Sequence, residues 1–163
     1  MNSRTAVYGG TFDPPTLGHI DLISRAAQHF DRVVVAIGVN PNKKALFSTQ
    51  ERLGFLNLSL ANIPNVSVTA YDGLLVDFCR SIGARVIIRG LRAIGDFEFE
   101  FQLGLVNKNL APEIETFFLI ASTDKIFLSS SVVKEIASCH RDISPYVPTC
   151  VVQPLMQKYG GED

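Results

Sequence analysis

Apolar and polar positions follow two alternating rhythms along this chain. Continuous apolar runs of strand length occur at Thr5–Tyr8, Arg32–Val39 (RVVVAIGV), Asn65–Tyr71, Arg85–Arg89 and Thr116–Ala121. A run that is apolar at successive residues is what a strand needs when both faces of a parallel sheet are covered. The intervening segments carry helical periodicity. Leu17–Phe30 places Ile20, Ile23, Ala27 and Phe30 at three- and four-residue spacing, the stripe of an amphipathic helix. Ser48-Thr-Gln-Glu51 has the form of a capping box and opens a helix predicted to run to about Ile63. Leu74–Ile82, Phe97–Leu110 and Ser131–Ser138 predict further helices, and a short helical segment follows Pro148, with Pro154 a potential break in it.

The order βαβαβαβαβα demands parallel pairing through right-handed crossovers. The expected fold is α/β, a Rossmann-like open five-stranded parallel sheet with helices on both faces. Such a sheet has one switch point, and ligands bind there, beyond the carboxyl ends of the strands. Residues that carry chemistry are therefore expected in the loops that follow strands.

Composition narrows the class. With 163 residues, 47% of them hydrophobic, positions 1–163 are read as one packed domain rather than a disordered chain. Fifteen Lys+Arg against 16 Asp+Glu leave a net charge of −1, without the basic excess that binding a nucleic-acid backbone requires. Any bound anion must instead meet a local positive cluster. No run reaches the about 18 apolar residues of a membrane span, and the N-terminal Met-Asn-Ser-Arg lacks a signal-peptide apolar region. Cys79, Cys139 and Cys150 are odd in number and form no C-x-x-C pair, which fits a reduced, cytoplasmic protein.

Four loops carry candidate chemistry. The first strand ends in Tyr8-Gly-Gly-Thr11-Phe12-Asp-Pro-Pro-Thr-Leu-Gly-His19, directly before a helix. Glycines allow close backbone approach, and a helix N-terminus offers unpaired N–H groups to a phosphate, with His19 facing the same anion. A plain strand–helix turn with a capping histidine reads the same way. The loop is neither a Walker A motif nor G-x-G-x-x-G. After the fourth strand, Arg89-Gly90-Leu91-Arg92 presents two guanidinium groups suited to bidentate phosphate contact. The alternative is a pair of structural ion pairs to Asp96 or Glu98. Asp96 and Glu100 would share a helix face, and Asp96 reads as compensation of the helix dipole.

The fifth strand is followed by Ser122-Thr-Asp-Lys125-Ile126-Phe127-Leu128-Ser129-Ser130-Ser131 and a helix. The serines read either as one N-cap with two bystanders or as a second anion-binding helix start. Lys43 and Lys44, after the second strand, fall on the same sheet edge and read equally as solvated charges. Cys139-His140 has no second pair at metal spacing, and no Gly-x-Ser-x-Gly elbow is present. The alternation of Phe97, Phe99 and Phe101 suggests helix packing or a subunit contact.

Taken together, Gly-Thr-Phe-Asp-Pro…Thr-x-Gly-His, Arg-Gly-Leu-Arg…Asp-Phe-Glu-x-Glu and Ser-Ser-Ser-x-Val-Lys-Glu resemble the bacterial phosphopantetheine adenylyltransferases, nucleotidyltransferases of the T/H-x-G-H group. The likeness runs from about Thr5 to the C-terminal helix. It implies transfer of the adenylyl group of ATP to 4′-phosphopantetheine, with Mg2+, by direct in-line attack without a covalent intermediate. It also implies a homohexamer built as a dimer of trimers, with coenzyme A as feedback inhibitor at the same site.

By position, Thr11 and His19 would contact the ATP phosphates beside Phe12, and His19 would stabilise the transition state. Lys43 and Arg89 would hold the pantetheine phosphate, with Thr11 also on the acceptor side, and Leu75 the pantetheine arm. Lys43 and Arg92 would act with His19 in catalysis. Gly90, Leu91 and Arg92 would line the nucleotide site near Glu100, and Lys125, Ile126, Phe127, Leu128, Ser129, Ser130 and Ser131 would hold adenine and triphosphate. Gly9 stands where that family commonly has Pro, and Leu17 where it has Asn; both resemble the nicotinate-mononucleotide adenylyltransferases instead. Those enzymes, and a non-catalytic nucleotide-binding α/β domain, are the alternatives.

Overall fold

In the computed structural model, which describes residues 4–40, 42 and 44–160, the strands are β1 (Thr5–Gly10), β2 (Arg32–Val39), β3 (Val66–Asp72), β4 (Val86–Leu91) and β5 (Glu115–Ile120). They form one all-parallel sheet in the order β3-β2-β1-β4-β5. Pairing is in register, Tyr8 lying between Val35 and Ile88. The chain moves outward from β1 to β3, then returns to β4 on the other side of β1. The switch point therefore lies between β1 and β4, and their following loops face each other across it.

Helices α1 (Leu17–Ala26), α2 (Thr49–Leu60), α3 (Leu75–Ser81), α4 (Ile94–Leu110), α5 (Ser130–Ser138) and α6 (Thr149–Lys158) complete the fold. One face of the sheet buries Ala6, Val33 and Val35 with Leu22, Ile23 and Leu56, beneath α1 and α2. The other buries Val7, Val34 and Ile87 with Val76 and Cys79, beneath α3. Strand residues alternate between these two clusters, which is why the strands are apolar at successive positions. A third cluster joins Phe47 and Phe55 to Val133, Ala137, Val151 and Leu155, seating α5 and α6 beside α2.

The capping box at Ser48 is present as expected: its hydroxyl accepts from the Glu51 N–H, and the Glu51 carboxylate accepts from the Ser48 N–H at 2.7 Å. Several boundaries differ from the sequence reading: α1 ends at Ala26 rather than Phe30, and α2 at Leu60 rather than Ile63. Helix α4 begins at Ile94 rather than Phe97, because its N-cap, Ala93, has no side-chain bond to mark the start. Pro154 does not break α6, which runs through it to Lys158. A proline there removes one helical hydrogen bond. Val151 and Leu155, one turn apart on either side, are fully buried in the third cluster, and that packing holds the helix.

Candidate active site

A cleft of about 690 Å³ opens at the switch point, lined from the carboxyl ends of the strands and the loops that follow them. Its floor is the loop 11–16. Phe12 adopts φ 49°, a left-handed conformation that costs a side-chain-bearing residue about 1–2 kcal/mol. The buried Phe12 ring meets Tyr8 edge-on at 5.6 Å and His19 at 5.1 Å, and this packing fixes the turn. The peptide between Asp13 and Pro14 is cis.

Helix α1 then starts at a reciprocal cap. The Thr16 hydroxyl accepts the His19 N–H, and His19 Nδ1 accepts the Thr16 N–H at 3.0 Å. Because Nδ1 accepts from a backbone N–H, the neutral ring carries its proton on Nε2. Burial, with the Arg92 charge added, pushes the imidazole down to about 4. In the free protein the ring is therefore held neutral, offering an N–H rather than a cation. The histidine is a cap and a cleft-lining group at once, so the two sequence readings of it are compatible.

Both arginines line the cleft, and both are held by carboxylates of α4. Arg89 pairs with Glu100 through two parallel bonds (Nε–Oε2 2.6 Å, Nη2–Oε1 2.7 Å), and its Nη1 donates to the Gly9 carbonyl at 2.9 Å. Burial opposes the Arg89 charge, but the Glu100 bonds outweigh it and hold the guanidinium above its ordinary pKa. Arg92 bonds Asp96 through Nε at 3.0 Å and the Leu128 carbonyl through Nη1 at 2.8 Å. Asp96 is thus an arginine partner, not only a dipole-compensating charge, and Arg89 is held by Glu100 rather than by Asp96 or Glu98. Each guanidinium has five N–H groups. Three are used in each case, so two remain for an anion.

The starts of α1 and α5 converge on the same space: Gly18 and His19 line it from one side, Ser129, Ser130 and Ser131 from the other. Ser129 caps α5 by accepting the Val132 N–H at 3.1 Å. Ser130 donates to the Pro14 carbonyl at 2.8 Å and ties α5 to the floor loop. Two helix N-termini facing one cleft favour a polyanion.

Of the residues expected from sequence, Thr11, Phe12, His19, Arg89, Gly90, Arg92, Glu100, Lys125, Leu128, Ser129, Ser130 and Ser131 line this cleft. Leu91, Ile126 and Phe127 do not; Leu91 ends β4, and the exposed Phe127 ring meets Tyr146 edge-on. Leu75 lines an adjoining groove of about 190 Å³ with Tyr71, Arg89, Leu103, Gly104 and Asn107. A side chain at Gly9 would begin 2.9 Å from Leu75 Cδ2, so Leu75 occupies the space that glycine leaves. Lys43 lies outside the described residues; its neighbour Lys44 lines the cleft.

Sequence reasoning missed several cleft residues. Asp13 is buried and accepts the Leu46 and Phe47 N–H groups at 2.8 and 2.9 Å, with Lys134 Nζ 3.6 Å away. Arg52, also buried, donates to the carbonyls of Thr11 and Ser48 and to the Thr49 hydroxyl. Asp13 and Arg52 clamp the loop after β2 onto the floor loop. Their partners are mostly backbone groups, which leave no pattern in a sequence. Lys134, in the Ser-Ser-Ser-x-Val-Lys-Glu segment, also lines the cleft.

An all-parallel sheet with a cation- and hydroxyl-lined cleft at its switch point defines a nucleotide-handling α/β protein, and the cytidylyltransferase-like family model matches residues 7–136. The chain is 54% identical to a phosphopantetheine adenylyltransferase of Heliobacterium modesticaldum, over 95% of this chain and 92% of that one. It is 48% identical to that of Staphylococcus carnosus, over 98% and 99%. A crystal structure from Vibrio parahaemolyticus, provisionally described as a nicotinate-nucleotide adenylyltransferase, shares the fold at TM-score 0.72 and 18% identity, over 98% and 97%. The chain belongs to the cytidylyltransferase-like family and, within it, to the phosphopantetheine adenylyltransferases.

Proposed function

We propose that this cleft transfers the adenylyl group of ATP to 4′-phosphopantetheine, releasing pyrophosphate and dephospho-coenzyme A. The observation that carries the reading is Arg89, whose guanidinium lines both the phosphate cleft and the adjoining apolar groove. An acceptor with a phosphate at one end and a long uncharged arm fits that pairing. A mononucleotide has no such arm.

The acceptor phosphate is already an anion near neutral pH, because the second pKa of a phosphomonoester is about 6. One of its oxygens attacks the α-phosphorus of ATP, a new P–O bond forms, and the bond to the bridging oxygen of pyrophosphate breaks. No proton is transferred, so no general base is required. Catalysis then rests on orientation and on donors matched to charge developing at phosphorus. In this account the His19 Nε2–H donates a hydrogen bond to a nonbridging α-phosphate oxygen. Arg89 and Lys43 hold the acceptor phosphate, and Arg92 and Lys125 hold the nucleotide phosphates with the two helix starts.

A divalent ion fits as a companion of ATP. No group of three His, Cys, Asp or Glu side chains comes together among the described residues, while Thr11 and the serines offer hydroxyl oxygens. Mg2+ favours phosphate and water oxygens, and when bound it neutralises phosphate charge. Coenzyme A contains both halves of the product and suits the same cleft as a feedback inhibitor. The exposed Ile94, Phe97, Phe99 and Phe101 of α4 and Ile120 of β5 suit burial between subunits of a homohexamer, a dimer of trimers. No helix among the described residues is long and apolar enough to cross a membrane; a cytoplasmic site of action goes with a coenzyme-forming reaction.

Incubation with ATP, Mg2+ and either 4′-phosphopantetheine or nicotinate mononucleotide tests the assignment through pyrophosphate release. Release with phosphopantetheine alone supports it; release with the mononucleotide alone overturns it. ATP binding without pyrophosphate release from either acceptor would place the chain with the non-catalytic nucleotide-binding domains.

A further inference from the structure

We propose that the Tyr71 hydroxyl is a specificity-determining contact for the acceptor, anchoring a polar group of its arm next to the phosphate, and that Gly38 exists in this chain to admit that hydroxyl. The proposal deepens the acceptor assignment above and rests on it.

Tyr71 lies near the end of β3, directly in register with Gly38 on β2. A Cβ at Gly38 would stand 3.1 Å from Tyr71 Oη and 3.4 Å from Cζ, tighter than ordinary contact at the oxygen. The missing side chain thus lets the ring lean across β2 toward the switch point. Stacking on Phe78, with centroids 5.2 Å apart and planes at 25°, fixes the ring from behind. In this pose Tyr71 lines both the phosphate cleft and the adjoining groove, as Arg89 does.

The ring is half-buried, and burial and neighbouring charges, not a hydrogen bond from a described residue, act on its hydroxyl. The nearby aromatic and aliphatic neighbours could be served equally by a phenylalanine. A phenolic O–H both donates and accepts. An acceptor phosphate on Arg89 would place the first atoms of its arm at the seam where Tyr71 stands. In 4′-phosphopantetheine those atoms carry a hydroxyl and an amide, either of which can pair with a phenol.

The test measures 4′-phosphopantetheine binding by calorimetry and steady-state kinetics in the wild type, Tyr71→Phe, Gly38→Ala and the double variant. A phenylalanine keeps the stacking, so the fold is retained. Loss of one hydrogen bond should raise Kd and KM for phosphopantetheine about 3- to 10-fold. The kcat and the KM for ATP should stay within about twofold. Gly38→Ala, which crowds Oη, should weaken the acceptor similarly, yet cost nothing more in the Tyr71→Phe background. Unchanged acceptor affinity in Tyr71→Phe overturns the proposal. So does a Gly38→Ala penalty of equal size in both backgrounds. If the wild type forms no phosphopantetheine-dependent product, the acceptor assignment falls and takes this contact with it. Normal wild-type turnover with an indifferent Tyr71→Phe removes the hydroxyl contact alone.

Discussion

His19 Nδ1 accepts the backbone N–H of Thr16 at 3.0 Å, and this one bond decides which nitrogen of the ring faces the cleft with a proton. A structural cap thereby sets the tautomer of the group proposed to donate to phosphate. Burial and the Arg92 charge bring its pKa to about 4 in the folded protein, against 6.5 for a free histidine. The free enzyme is therefore expected to show a His19 resonance that stays in the neutral form down to pH 5, with proton on Nε2, by nitrogen-15 NMR. Folded and unfolded chains bind the same number of protons at this site only well above pH 6.5. Below it the unfolded chain binds more, so His19 withdraws stability as pH falls from 6.5 toward 4. His19→Gln should flatten that part of the stability–pH curve; a midpoint near 6.5 in the native protein would contradict the assignment.

Arg89 and His19 should separate cleanly in kinetics. Arg89→Gln removes the charge proposed to grip the acceptor phosphate, so KM for phosphopantetheine should rise at least about 10-fold with KM for ATP little changed. His19→Ala should instead lower kcat about 100- to 1000-fold with little change in either KM. A raised KM for ATP alone in Arg89→Gln would reverse the assignment of the two phosphate sites. An unchanged kcat in His19→Ala would remove its role.

Asp13 holds two loops together from a buried position, through the N–H groups of Leu46 and Phe47. Asp13→Ala leaves both donors unsatisfied and strips Lys134 of its partner. The expected cost is about 2–4 kcal/mol in urea unfolding. Asp13→Asn retains one acceptor oxygen and should cost less. Equal stability of Asp13→Ala and wild type would show that the clamp is not structural.

The fold was legible because β1, β2 and β4 are apolar on successive residues, a consequence of clusters packed on both sheet faces. The loops after strands were legible as sites for the same topological reason. The arginine partners were legible only in part. Asp96 and Glu100 share a helix face, as their four-residue spacing requires, yet ion pairing across eleven positions from Arg89 to Glu100 depends on where α4 begins. Ala93 caps that helix without a side-chain bond, so the start was hidden. Pro154 misled for the opposite reason: a local helix breaker was overruled by burial of Val151 and Leu155. Asp13 and Arg52 stayed invisible because they bind backbone groups of distant segments.

The stereochemistry at phosphorus tests direct displacement most sharply. Adenosine 5′-(1-thiotriphosphate) of one configuration at the α-phosphorus would be turned over with 4′-phosphopantetheine, and the configuration of the thio-product determined. A single in-line attack by the acceptor phosphate predicts inversion. Retention would mean two displacements through an adenylylated protein group, and would contradict the account.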